Sequence, residues 1–309
     1  MEFKHKPVLL NECLEGLNIR PDGIYLDGTL GGGGHSGEIV KQLTTGRHFG
    51  IDRDSAAIAA ATAHISSPLF TAIRGNFHDA KALLAEKGIE KIDGALLDLG
   101  VSSYQLDEAS RGFSYHADAP LDMRMDTGQA LTAATIVNEW PEQEIARILR
   151  DWGEENWAVQ IARVICDRRK NTPILTTGQL VDIIDASIPK KMREKDGSHP
   201  ARRSFQALRI AVNDELAPLE NALKDIASML NPGGRLCVIA FHSLEDRTAK
   251  NTFKNLAEPC ICPKQFPVCV CGRVATVKLV NRKPITASKE ELDENPRARS
   301  ATLRIIEHL

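Results

Sequence analysis

Residues 25–37 read Tyr25-Leu26-Asp27-Gly28-Thr29-Leu30-Gly31-Gly32-Gly33-Gly34-His35-Ser36-Gly37. A short apolar run ending in an acid, then glycines, then the start of an amphipathic segment is the pattern of a strand, a tight turn and a helix. Only glycine lets the backbone come that close to a ligand or a neighbouring element. Gly32, Gly34 and Gly37 fit G-x-G-x-x-G, and Asp52 ends the next apolar run about twenty residues on, where an acid can accept both hydroxyls of a ribose. A plain helix-on-strand turn also uses such glycines; the acid at Asp52 turns the reading toward a nucleotide.

Outward from this loop, short apolar runs alternate with amphipathic stretches, the signature of βαβ units and of an α/β fold with a doubly wound, mostly parallel sheet. The predicted strands are Ile24–Asp27, His48–Asp52, Phe70–Arg74, Gly94–Leu99 and Arg235–Phe241. The last is introduced by Asn231-Pro232-Gly233-Gly234, read as a turn that ends the preceding helix. The stretch between the fourth and fifth strands is too long for a loop in a compact domain, so it is read as an inserted domain. Its helical spacing over Pro141–Trp152, Asn156–Arg169 and Thr177–Ile188 makes it mainly helical. Residues 1–105 and 215–309 are then the nucleotide-binding domain, and 106–214 the helical insert. A helix is predicted around Asp246–Leu256, and the runs Val274–Val280 and Arg299–Ile306 suit an antiparallel edge.

With 309 residues, 42% hydrophobic and 26% charged, the chain has ordinary globular composition, which excludes collagen-like, coiled-coil and disordered classes. Lys+Arg 39 against Asp+Glu 41 leaves a net charge of -2, so a nucleic-acid partner must be met by a local basic patch. No apolar run approaches the roughly 18 residues of a membrane span. The opening residues lack the apolar core of an export signal; a cytoplasmic location and no membrane partner are expected. The sequence is silent on oligomeric state.

The choice of nucleotide turns on charge. A dinucleotide wants amides for its pyrophosphate, whereas Asp27, an acid at the end of the first strand, repels phosphate and suits a cation. S-adenosylmethionine is such a ligand, with Asp52 for its ribose and Phe77 for its adenine. A nicotinamide-dependent dehydrogenase using the same loop is the rival enzyme.

The run Asp98-Leu99-Gly100-Val101-Ser102-Ser103-Tyr104-Gln105-Leu106-Asp107 joins GTLGGGGHS (28–36), RGFS (111–114), PLDMRMD (120–126), FHSLEDR (241–247) and NPRARS (295–300). Together these long, ungapped motifs resemble the MraW family, bacterial cytosine-N4 methyltransferases of 16S ribosomal RNA. The resemblance covers nearly the whole chain. It implies a class I (Rossmann-like) methyltransferase fold with a helical insert, S-adenosylmethionine as cofactor, and a P-site cytidine of 16S rRNA within the small ribosomal subunit as target. By position it carries over cofactor contacts at Gly33, Gly34, His35, Asp52, Phe77, Asp98 and Gln105. A non-enzymatic ribosome-assembly factor is the rival outside enzymes.

The cytosine amine is a poor nucleophile, so an enzyme must hold it in line and offer acceptors to its protons as positive charge develops. Asp98, at the carboxyl end of the fourth strand, is the first candidate. It stands where amino methyltransferases carry Asp/Asn-Pro-Pro-aromatic, but here Leu99-Gly100-Val101 follows, so a purely cofactor-holding role is the alternative. His242 is the second, to hydrogen-bond the base or carry off its proton, or as a structural histidine. For the helix after it, Ser243 with Asp246 is read as close to a capping box.

Lys190, Lys191, Arg193, Lys195, His199, Arg202, Arg203 and Arg209, interrupted only by Glu194 and Asp196, form the densest basic stretch. Phosphate contact is favoured over a solvated face, with Arg202, Arg203, Arg111 and Arg124 as RNA-binding candidates. Phe113, Tyr104 or Tyr115 would stack on an extruded base, with core packing the rival for each. Cys13, Cys166 and Cys237 read as buried thiols. Cys260, Cys262, Cys269 and Cys271, in the segment PCICPKQFPVCVCG (259–272) that only part of the family carries, are either ligands of one tetrahedral zinc or four unliganded thiols.

Overall fold

The computed structural model describes residues 7–193, 199–263, 265–266 and 268–309. The opening residues 1–6, Lys195 with Glu194 and Asp196, and Pro267 lie outside the described residues. Two compact units form: Met1–Gly100 with Leu216–Leu309, and Val101–Glu215.

The first unit is built on one seven-stranded sheet: β1 (Ile24–Asp27), β2 (Arg47–Asp52), β3 (Phe70–Arg74), β4 (Ile92–Asp98), β5 (Leu230–Ala240), β6 (Val277–Leu279) and β7 (Thr302–His308). Their order is β3-β2-β1-β4-β5-β7-β6. The first five strands run parallel, and β7 lies antiparallel between β5 and β6. This is the arrangement of the class I methyltransferases. Central parallel strands are covered on both faces, which is why Ala95, Leu96, Leu97 and Val238 have no exposed surface and why these strands read as unbroken apolar runs. At the amino edge the Asp93 carboxylate ties three segments together, pairing with Arg20 and accepting from the Ile24 amide and the Asn231 side chain.

Three boundaries depart from the sequence reading. Asn231-Pro232-Gly233-Gly234 does not precede β5 but interrupts it, because Leu230 already pairs with Ile92 before Arg235 pairs with Gly94. A Cβ at Gly234 would lie 2.9 Å from the Asn231 carbonyl and 3.0 Å from that of Asp93, so this bulge needs glycine. β6 is only three residues, with Val274 solvent-exposed, and Arg299 belongs to the 3-10 turn Pro296–Ser300 ahead of β7.

The second unit is helical: Ala133–Glu139, Glu142–Asp151, Ala158–Arg169, Thr177–Ser187, Lys190–Arg193 and Arg202–Asn213 follow the short helix Ser103–Asp107. Ile145, Ile148, Leu149, Ile161, Ile165 and Leu208 are buried in its core, one face per helix. Thr176 and Gln179 form a capping box that starts Thr177–Ser187. No helix among the described residues is long and apolar enough to cross a membrane.

Candidate functional site

The strand order reverses between β1 and β4, and the crevice outside the carboxyl ends of strands at such a switch point is where α/β sheets take ligands. Asp27 ends β1, Asp52 ends β2 and Asp98 ends β4, so three carboxylates meet the glycine loop.

Asp27 is buried and faces inward. Its Oδ1 accepts the Thr29 amide at 3.0 Å, and its Oδ2 accepts the Ser36 hydroxyl at 2.7 Å. Ser36 Oγ in turn accepts from His48 Nε2 at 2.8 Å, since the serine proton is already given to Asp27. Burial lowers His48 to about 3, so its ring is neutral. Both Asp27 oxygens are therefore engaged in fixing the loop.

Asp52 accepts one amide at each oxygen, Gly31 at Oδ2 and Asp54 at Oδ1, both at 2.8 Å. A carboxylate oxygen has two acceptor sites, so each retains capacity for a hydroxyl. Gly33 caps the next helix in the left-handed region (φ 81), where a side chain would strain the turn. Gly28 allows β1 to pass Phe77: a Cβ there would lie 2.9 Å from the Phe77 Cβ and closer still to Leu97 Cδ2. A Cβ at Gly32 would meet nothing, so the loop backbone there faces open space.

The Asp98 amide donates to Thr29 Oγ1 at 2.6 Å, which fastens the end of β4 to the glycine loop. Its carboxylate is asymmetric. Oδ1 is enclosed and has no hydrogen-bond partner, while the side chain as a whole keeps 26% of its surface open. His35 Nδ1 stands 3.7 Å from Oδ2, its other ring nitrogen 3.0 Å from the Val8 carbonyl. Burial first, then the charges of Asp27 and Glu245, push Asp98 up to about 8. An acid left this unsatisfied, beside an open loop, fits an incoming cation.

His242 is the N-cap of the helix Ser243–Ala257, and Glu245 completes the capping box. The Ser243–Asp246 box expected from sequence does not form; Asp246 instead grips Arg304 through two hydrogen bonds of 2.6 and 2.9 Å. His242 Nδ1 accepts the Glu245 amide at 3.4 Å, and Nε2 stands 3.1 Å from Glu245 Oε1. Glu245, buried, takes the Phe241 and His242 amides on Oε2 at 2.9 and 3.3 Å. Nδ1 is thus engaged in capping the helix at the β5 exit while Nε2, though close to Glu245, has no hydrogen-bond partner, and Glu245, which sequence reasoning passed over, supplies charge beside Asp98. Its only sequence signal is its place three residues after the cap.

In the second unit, Gln105 is buried and accepts the Ser102 amide within a capping box. Arg111 donates to the carbonyls of Arg124 and Met125. Arg124 pairs with Asp122 and donates to the carbonyls of Thr127 and Gln129. Both guanidiniums therefore organise the 122–129 loop. Arg202 is exposed and Arg203 half-buried at the start of Arg202–Asn213. Phe113 belongs to the core, Tyr104 is exposed, and Tyr115 stacks on His199 with ring centroids 4.6 Å apart. Cys13, Cys166 and Cys237 are buried, and burial pushes the Cys237 thiol up to about 12. The other four thiols converge in the first unit.

The profile of the MraW methylase family matches residues 2–309. The chain is similar to ribosomal RNA small subunit methyltransferase H of Clostridioides difficile strain 630, at 53% identity over all of both chains. It is likewise similar to the proteins of that name from Heliobacterium modesticaldum and Acetivibrio thermocellus, each at 56% identity with both chains fully covered. A match across the entire length, with the glycine loop, the strand-end acids and the FHSLEDR turn gathered around one crevice, shows that the chain belongs to the MraW methylase family.

Proposed function

We propose that the chain methylates the N4 amine of a P-site cytidine in 16S ribosomal RNA within the small ribosomal subunit, using S-adenosylmethionine. The observation that carries the reading is the unsatisfied, partly open Asp98 carboxylate at the sheet's switch point, in a chain that the methylase family matches over residues 2–309. When bound, the cofactor supplies an electrophilic methyl group on a sulfonium. Asp52 would accept the ribose hydroxyls, the backbone at Gly32, Gly33 and Gly34 would line the cofactor, and Phe77 would flank the adenine. His35 would stay with Asp98 and steady it; Gln105 is kept as a cofactor contact on the family motif alone. Asp98 would accept a proton of the cytosine amine as positive charge grows on nitrogen, and Glu245 with His242 would hold the β5 exit in shape.

Replacing Asp52 by Ala should weaken S-adenosylmethionine binding at least tenfold by calorimetry, since each charge-assisted hydrogen bond is worth roughly 1.5–3 kcal/mol. RNA affinity should be unchanged; an unaltered cofactor dissociation constant rejects the ribose assignment.

The helical unit is read as the substrate-recognition element. Arg202 and Arg203 would meet phosphates, while Arg111 and Arg124 would shape the loop that approaches RNA. Replacing Arg202 and Arg203 together by Ala should flatten the slope of log K against log salt by up to about two units and leave cofactor binding intact. An unchanged slope would mean a solvated face. Transfer of tritiated methyl to small-subunit particles, followed by nucleoside analysis, tests the whole reading. Label on cytidine N4 supports it; absence of transfer would leave an assembly factor, and label elsewhere would reject the N4 assignment.

A further inference from the structure

Between the helix Ser243–Ala257 and β6, the described residues of the segment 258–276 contain no helix or strand. Its ends are tied, the Glu258 amide to the Lys254 carbonyl at 2.7 Å and the Thr276 amide to that of Leu256 at 3.3 Å. Between them burial holds little, since Ile261, Phe266, Val268 and Val270 are exposed by 65%, 52%, 71% and 73%. A connection this long without its own secondary structure normally needs another source of order.

The four cysteine sulfurs of the segment meet. Cys269 Sγ is 3.5 Å from Cys260 Sγ, 3.9 Å from Cys262 Sγ and 3.5 Å from Cys271 Sγ, and Cys271 Sγ is 3.9 Å from Cys260 Sγ. All four lie within 4.8 Å of one another. A tetrahedral zinc with four sulfurs at about 2.3 Å has sulfur–sulfur edges of about 3.8 Å. The observed separations straddle that value. Disulfide pairing would bring sulfurs together two by two and gives no reason for Cys269 to adjoin all three others. The Val270 amide also donates to Cys262 Sγ at 3.3 Å, the outer-shell support that a ligating thiolate receives. Four sulfurs suit a soft or borderline cation and not magnesium or calcium.

We propose that Cys260, Cys262, Cys269 and Cys271 bind one zinc ion as four thiolates. Each thiol releases its proton to solvent on binding and no electron moves. The zinc cross-links the segment in place of an apolar core, and the tighter C-x-C pairs are accommodated because ligands from both pairs interleave around one centre.

The test uses the full-length protein purified without chelator. Elemental analysis should find about one zinc per chain, and titration of the four thiols with a mercurial should release it in step. Cobalt substitution should produce thiolate charge-transfer absorption and the intense visible bands of a tetrahedral centre. Replacing Cys262 and Cys271 together by Ser should lower bound zinc at least tenfold. Wild-type protein holding under about a tenth of an equivalent of metal, with four thiols reacting as free cysteines, would overturn the site. Iron at full stoichiometry would overturn the choice of zinc. All of these readouts are taken on unmodified protein as well as the variant, so a folding defect in the variant does not decide the outcome.

Discussion

Replacing Asp98 by Asn is expected to lower the methyl-transfer rate at saturating cofactor and RNA by about 10²–10³-fold, the usual cost of deleting one preorganised electrostatic partner. The substitution keeps shape and one acceptor oxygen, replaces the other oxygen by an amide donor and removes the capacity to carry charge. Because Asp98 is pushed up to about 8, asparagine imitates the protonated form that prevails at neutral pH without a ligand. A full rate in the variant would therefore mean that the neutral acid is the working form and that Asp98 only holds the cofactor. The stability of the ligand-free protein provides a check in the opposite direction. Below about pH 4 the carboxyl is protonated in folded and unfolded chains alike and contributes nothing. As pH rises toward 8 the unfolded chain loses the proton and the folded chain retains it, so wild-type stability falls through that window. The variant has no such penalty, so its melting temperature should exceed that of wild type at pH 8, with the difference vanishing near pH 4.

Cofactor affinity should tighten with pH by about 50-fold between pH 6 and pH 8. About one part in a hundred of Asp98 is ionised at pH 6 and half at pH 8, and a cationic ligand selects the ionised form. The groups facing Asp98 are Asp27 on β1, Glu245 on the helix after β5 and His35 on the helix after the glycine loop. The two acids raise Asp98 and so move the window up toward physiological pH. Calorimetric titration of wild type and the Asp98→Asn variant at several pH values separates this effect from the cofactor's own amine, which both proteins sense equally. A flat profile in wild type would reject the linkage between Asp98 ionisation and cofactor binding.

The strands were readable because parallel strands covered on both faces must be apolar throughout, and the turns between them are marked by glycine and proline. Where the pattern misled, a local signal met a tertiary demand. Asn231-Pro232-Gly233-Gly234 has the composition of a helix-ending turn, yet Leu230 had already joined β4, and the turn became a bulge inside β5. For His242, a strand-end histidine in a polar turn carries no mark of what its ring will face; the fold decides that Nδ1 caps the next helix and that Nε2 is left without a hydrogen-bond partner. For Arg111 and Arg124, sequence records a guanidinium's charge and not which carbonyls it also holds, which only the fold decides.

What the amino-acid sequence determined alone is the order of elements, the inserted helical unit and the positions of Asp27, Asp52 and Asp98 at strand ends. These follow from periodicity and chain connectivity, which are one-dimensional. The division of labour among the three acids was decided only in the folded chain. Asp27 is turned inward onto Ser36 and Thr29, Asp52 holds two amides and keeps spare acceptor sites, and Asp98 is left unsatisfied beside Asp27 and Glu245. The physical reason is that a carboxylate's role depends on the donors and charges within a few ångströms. Here those come from the β1 turn, the helix start at Ser36 and the cap at Glu245, segments far apart along the chain that only the packed sheet brings together.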